Sequence, residues 1–126
     1  MTSQWTPEQL DKFTSADDLH VSPFYADGKT YGTPTWIWSV VVDNDIYVRA
    51  YNGQNSRWYQ SAMAQGAGKI KIAGEEFEVN FIDAAGSNEL DLKINAAYQE
   101  KYQDSPYLPP MLQAEPVSAT VKILPR

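Results

Sequence analysis

Apolar and polar residues alternate with a period of two along much of this chain, and short turn signals interrupt the alternation. In IYVRAY, Ile46, Val48 and Ala50 face one way while Tyr47, Arg49 and Tyr51 face the other. KIKIA and EFEVNFID alternate in step on either side of Gly74-Glu75. This predicts a hairpin with Ile70, Ile72, Phe77, Val79 and Phe81 inward. The stretch from Leu19 to Tyr25, the β-branched and aromatic run TWIWSVVV after Pro34, and the closing VSATVKIL read as further strands. Asp27-Gly28 and Asp43-Asn44-Asp45 mark turns between them.

Helical periodicity enters at three places. Thr6-Pro7-Glu8-Gln9 carries an N-cap, a proline at the first helical position and a capping-box glutamine, and Leu10 and Phe13 then share one face. Ser56 is placed to cap a helix from Arg57 to Gln65, which Gly66-Ala67-Gly68 stops. Asn88 to Tyr102 has helical spacing through Leu92, Ile94, Ala97 and Tyr98, and SPYLPPM after it reads as a loop.

Six strands joined mostly by tight turns, with one short helix between the third and fourth, predict a mainly β, α+β fold. The architecture expected is a six-stranded antiparallel barrel, closed or nearly so, because closure removes exposed strand edges. The helix from Asn88 would cover one mouth or side. The element order suits a split β-barrel of the flavin-binding type with flanking helices, and the spacing also suits other small barrels. Without a repeat or linker, residues 1–126 read as a single domain.

Charge narrows the partners. The formal charge is −6 in 126 residues, which argues against nucleic acid, since phosphate backbones require a basic face. A local anion pocket remains compatible with it. The absence of cysteine excludes disulfides, thiolate catalysis and thiolate-bound metals. No His/Asp spacing matches a metal site. The N-terminus, MTSQWTPEQLDKF, has no basic segment followed by an apolar one, and no apolar run has the length to cross a bilayer. A cytoplasmic protein without membrane contact is expected.

The stretch IYVRAYNGQNSRWYQSAM, from Ile46 to Met63, concentrates candidate chemistry. Arg49 and Arg57, with Ser56 and the first amides of the Arg57 helix, have the makings of an anion site, because a helix start offers unpaired N–H groups and arginine grips phosphate or carboxylate. The alternative is that each arginine pairs with a surface carboxylate. Trp58 and Tyr59 at the helix start are candidates to stack on a ring. Trp36, Trp38 and Tyr47 read as core or as a dimer interface. His20, the only histidine, is a base only if Asp17 or Asp18 orients it, and is otherwise structural.

WTPEQL, ADDLHVSPFYADG, PTWIWSVV, IYVRAYNG, RWYQSA, AAYQEKY and VKILPR together resemble a small bacterial family filed as domain of unknown function number 2255. More distantly, the strand pair, the YVRAYNG-like strand end and the WY-bearing helix are similar to deazaflavin-dependent nitroreductases. Those proteins sit among split barrels with the pyridoxamine phosphate oxidases. The second resemblance implies that the loop and helix start after the third strand hold a cofactor phosphate. By position these are Asn52, Gly53, Ser56, Arg57, Trp58 and Tyr59. It also implies that a tyrosine-bearing C-terminal segment, with Tyr98, Tyr102 and Tyr107, covers the ring. Thr33-Pro34-Thr35 stands where such proteins often carry arginine or lysine. The expected function is binding of FMN or a deazaflavin, with oxidoreductase chemistry and a homodimeric state. The alternative is a non-enzymatic barrel that binds another small ligand or a protein.

Overall fold

The computed structural model describes residues 5–16, 19–32, 34–51, 53–86, 88–103, 105–106, 112 and 117–125. Helix α1 (Pro7–Ser15) starts as the sequence predicts. Thr6 Oγ1 accepts from the Gln9 amide at 3.1 Å, and the Gln9 side chain accepts from the Thr6 amide at 2.9 Å. The box satisfies two amides near the helix start, and Leu10 and Phe13 turn inward.

Seven antiparallel strands follow: β1 (His20–Pro23), β2 (Thr35–Trp36), β3 (Ser39–Val42), β4 (Asp45–Arg49), β5 (Ala67–Ile72), β6 (Glu75–Asp83) and β7 (Thr120–Pro125). They form one sheet in the order β2-β1-β5-β6-β7-β4-β3. The expectation of six strands and a barrel is therefore corrected to a curled half-barrel of seven strands. The cause is local. TWIWSVVV reads as one strand, but Thr35 and Trp36 pair with β1 while Ser39–Val42 pairs with β4, at the opposite edge of the sheet. Three residues of chain span at most about 11 Å, so the two edges are drawn towards each other. Among the described residues, however, no ladder joins β2 to β3. The Ile37 amide donates instead to Leu19 C=O, at 3.0 Å.

The hairpins keep the register. Asp43 and Asn44 both take positive φ (51° and 70°), the two-residue turn whose twist matches its strands. The β5–β6 turn falls on Ala73-Gly74, one residue before the Gly74-Glu75 expected from the pattern. Gly68 is required where β5 meets β1, since a Cβ there would lie 2.5 Å from Ser22 C=O.

Alternation then sorts side chains between two faces. Ile46, Val48, Ile70, Ile72, Val79, Phe81, Val121 and Ile123 fill the inner face, with Phe77 half-buried against them. Trp5, Phe13 and Phe77 meet edge to face at 5.1–5.6 Å, and Trp5 Nε1–H donates to Ile123 C=O at 2.9 Å. Helix α2 (Arg57–Gln65) adds Trp58, Tyr59 and Ala62 to this core. On the opposite face of β3 and β4, Val40, Val42 and Tyr47 pack under Ile94 and Tyr98 of helix α3 (Asn88–Lys101). Leu92, predicted to share that helical face, is 69% exposed.

Candidate functional site

Strand parity decides where Arg49 goes. Ile46 and Val48 point into the core, so Tyr47 and Arg49 point towards α3. Arg49 is 1% exposed. Its Nη1 donates to Asn95 Oδ1 at 2.5 Å, Nη2 to the Asp91 carbonyl at 3.3 Å, and Nε to Thr120 Oγ1 at 3.4 Å. The guanidinium carbon lies 5.4 Å from the centre of the Tyr98 ring. Burial holds the guanidinium below its ordinary pKa, opposed by Tyr98 and Asp91, and an arginine so placed stays charged at neutral pH. Asp91 Oδ1 is itself buried without a hydrogen-bond partner.

Arg49 lies at a cavity of about 600 Å³. Trp36, Ile37 and Trp38, the crossover between the two sheet edges, line it together with Tyr51 from the end of β4. Ser105 and Pro106, just past α3, complete the described wall. Trp36 is 58% exposed and Tyr51 47%, so large apolar surfaces meet solvent here.

The crossover is fastened to α3. Trp38 lies flat on Tyr102, with ring centres 4.1 Å apart and planes 4° from parallel. Tyr98 O–H donates to Trp38 C=O at 3.2 Å. The Tyr102 hydroxyl sits 3.3 Å from both the amide and the carbonyl of Ser39. Lys101 Nζ donates to Ser39 C=O at 2.8 Å and to Phe13 C=O at 3.3 Å. Burial raises the Tyr98 phenol well above its usual range, because ionisation there would place a charge in the core.

The other candidates lie elsewhere. Gly53 is buried with φ 68°, its amide bonded to Ala50 C=O at 2.9 Å, and it turns the chain towards α2. Ser56 occupies the N-cap position, but its side chain makes no capping bond. Trp58 and Tyr59, expected exposed at a helix start, are 9% and 8% exposed and belong to the core, because α2 packs its first turn against the sheet. Arg57 is exposed and, together with Trp58, lines a second cavity of about 210 Å³ beside Pro23, Tyr25 and Ser61. The two arginines thus open onto different cavities. Asn52 and Tyr107 lie outside the described residues, as do Asp17 and Asp18, the expected partners of His20.

Pattern reading singled out Arg49, and the resemblance to split barrels singled out Tyr98 and Tyr102, but neither gave the cavity itself. Trp36 and Trp38 were visible as an aromatic strand face, whereas Asn95, Ser105 and Pro106 carry no sequence signal that joins them to it. Among the described residues no three His, Asp or Glu side chains converge as metal ligands, and no helix is long and apolar enough to cross a membrane.

No curated protein matches the sequence. A family model described as uncharacterized protein conserved in bacteria (DUF2255) matches residues 9–123, a span that contains every described residue lining the Arg49 cavity. This chain belongs to that family.

Proposed function

We propose that the Arg49 cavity binds a flat, ring-bearing small molecule with one anionic or carbonyl group turned towards the guanidinium. The observation that carries this reading is the joining of aromatic walls, Trp36, Trp38 and Tyr51, to a buried arginine in about 600 Å³. Small-molecule sites are of this size, mostly apolar, with a few placed polar groups.

A flavin-like or deazaflavin-like ring belongs to this class and is the first to test. Its ring suits the walls. Its phosphate meets a different situation, because Arg57 lines the second cavity and Arg49 is the one arginine among the described residues that line the first. Should such a ring be the ligand, redox chemistry would be its own, and the protein's share is to bind and orient it.

A second reading, a half-barrel that binds an unphosphorylated ring compound without catalysis, is favoured by the engagement of Arg49 with Asn95 and Asp91. Titration of the protein into riboflavin and into FMN, followed by quenching of flavin fluorescence, separates the two. Affinities within about threefold of each other mean that the ring drives binding. FMN binding tenfold tighter or more, a difference of about 1.4 kcal/mol, means that the phosphate is held and supports a nucleotide cofactor. A protein that quenches neither has no such site.

A further inference from the structure

The wall formed by Trp38 is held in place from outside the cavity. An indole at the junction of two strands has two side-chain torsions to lose, and a ligand that must first order it binds more weakly. Here the ordering is already done. Tyr102 covers one face of the indole at 4.1 Å and 4°. The backbone on either side is fixed as well, by Tyr98 O–H on Trp38 C=O and by Lys101 and Tyr102 on Ser39. Tyr102 N–H donates to Tyr98 C=O, and the Ser105 amide donates to Tyr102 C=O, each at 2.9 Å. The same turn therefore sets the stacking tyrosine and delivers Ser105 and Pro106 to the cavity.

We infer that Tyr102 is a positioning residue for ligand recognition: it holds Trp38 as a preformed flat wall, so that the cavity selects planar rings. This rests on the ring-binding reading above. It also gives Tyr102 a role different from the direct ring contact implied by the resemblance to nitroreductases. The hydroxyl and the ring of Tyr102 do separable work. The ring supplies the stack, and the hydroxyl secures Ser39.

Two variants separate these parts. Tyr102→Phe keeps the stacked ring, whereas Tyr102→Leu keeps an apolar side chain and removes the stack. In the wild type the Trp38 ring protons are expected to be shifted upfield in the NMR spectrum by the tyrosine stacked on them, a signature that needs no ligand. Tyr102→Leu is expected to abolish that shift and to weaken riboflavin binding about tenfold, in the range for stacking on an ordered aromatic. Tyr102→Phe is expected to retain both within about threefold. If Tyr102→Leu does not fold, Tyr102→His, whose smaller ring covers less of the indole, takes its place, with an affinity required to fall between wild type and tenfold weaker. Loss of the upfield shift with unchanged riboflavin affinity overturns the positioning role alone. A wild-type protein that binds neither riboflavin nor FMN overturns the ring-binding reading, and this inference with it.

Discussion

The two faces of the curled sheet are held by different chemistry. Inside, Ile46, Val48, Ile70, Ile72, Val79, Phe81, Val121 and Ile123 meet α1 and α2 through apolar contact almost alone. Under α3, the apolar cluster is small, and Arg49, Tyr98, Lys101 and Tyr102 tie the helix to β3, β4 and β7 through hydrogen bonds. The inner face behaves as a filled core, in which loss of volume is what costs. The α3 face behaves as a fitted joint, in which loss of a particular donor is what costs. The cavity opens beside the joint and not inside the core, which places ligand contacts where polar groups are already organised.

The largest effect that sharpens this contrast is expected from Phe81→Ala. Phe81 is 5% exposed and pairs across from Ile123 in the middle of the inner face. Its removal should cost about 3–5 kcal/mol, read as a shift in the urea midpoint. Riboflavin affinity, measured where the variant is still folded, should be unchanged. A loss well below this range would mean that the inner face repacks freely and is no different in kind from the α3 face.

Next comes Arg49→Met, which keeps much of the length and removes the donors. Asn95 Oδ1 then loses a charged partner in a half-buried setting, and Thr120 Oγ1 loses one of its own. A stability loss of about 1–3 kcal/mol is expected, together with weaker riboflavin binding. Unchanged stability would show that the bonds to α3 contribute no net energy and that α3 is held by Ile94 and Tyr98 packing alone.

These two residues also show what sequence made legible. Phe81 could be placed inward because its strand alternates and one face had to be buried, and period two admits a single register for that. Local pattern likewise gave α1 its capping box, α2 its ends and the β3–β4 hairpin its turn, and it placed the β5–β6 turn one residue late. It failed at TWIWSVVV, because an unbroken β-branched run contains no sign of which partner each half will pair with. Edge assignment is a long-range property. It failed again at α2, where the capping pattern locates the helix start but not the face that packs, so Trp58 and Tyr59 read as exposed. Arg49 was legible as a candidate from its parity, yet its partners lie 42 to 71 residues away on α3 and β7. No local pattern announces such contacts.

A smaller effect is expected from Tyr98→Phe, which removes one hydrogen bond to Trp38 C=O and should cost about 0.5–1.5 kcal/mol. It also changes the response to pH. Burial raises the Tyr98 phenol in the folded state, so the folded protein retains its proton where the unfolded chain, near pH 10, releases it. The associated stability is fully present below about pH 10 and is lost as pH rises further. Urea midpoints measured from pH 8 to 11 should therefore decline in the wild type and decline less in the variant. Tyr47 and Tyr59, also raised by burial, leave part of the slope in place. Parallel slopes in the two proteins would mean that Tyr98 is accessible to water and that the α3 joint is looser than its hydrogen bonds suggest.

The smallest effect belongs to Arg57→Ala, and it is the sharpest test of whether the two cavities are independent. Arg57 and Arg49 are eight positions apart in a segment that suggests one anion-binding junction. Strand parity sends Arg49 beneath α3, while Arg57 opens α2 on a surface shared with Pro23, Tyr25 and Ser61. An exposed arginine of this kind contributes little, so its removal should change stability by no more than about 0.5 kcal/mol. With the ring held beside Arg49, riboflavin and FMN should each bind Arg57→Ala within about twofold of wild type, well under the tenfold that a lost charged hydrogen bond brings. A tenfold loss of FMN affinity with riboflavin unchanged would have one physical meaning. The phosphate would then reach Arg57 while the ring rests against Trp38, and the two cavities would be two ends of one site.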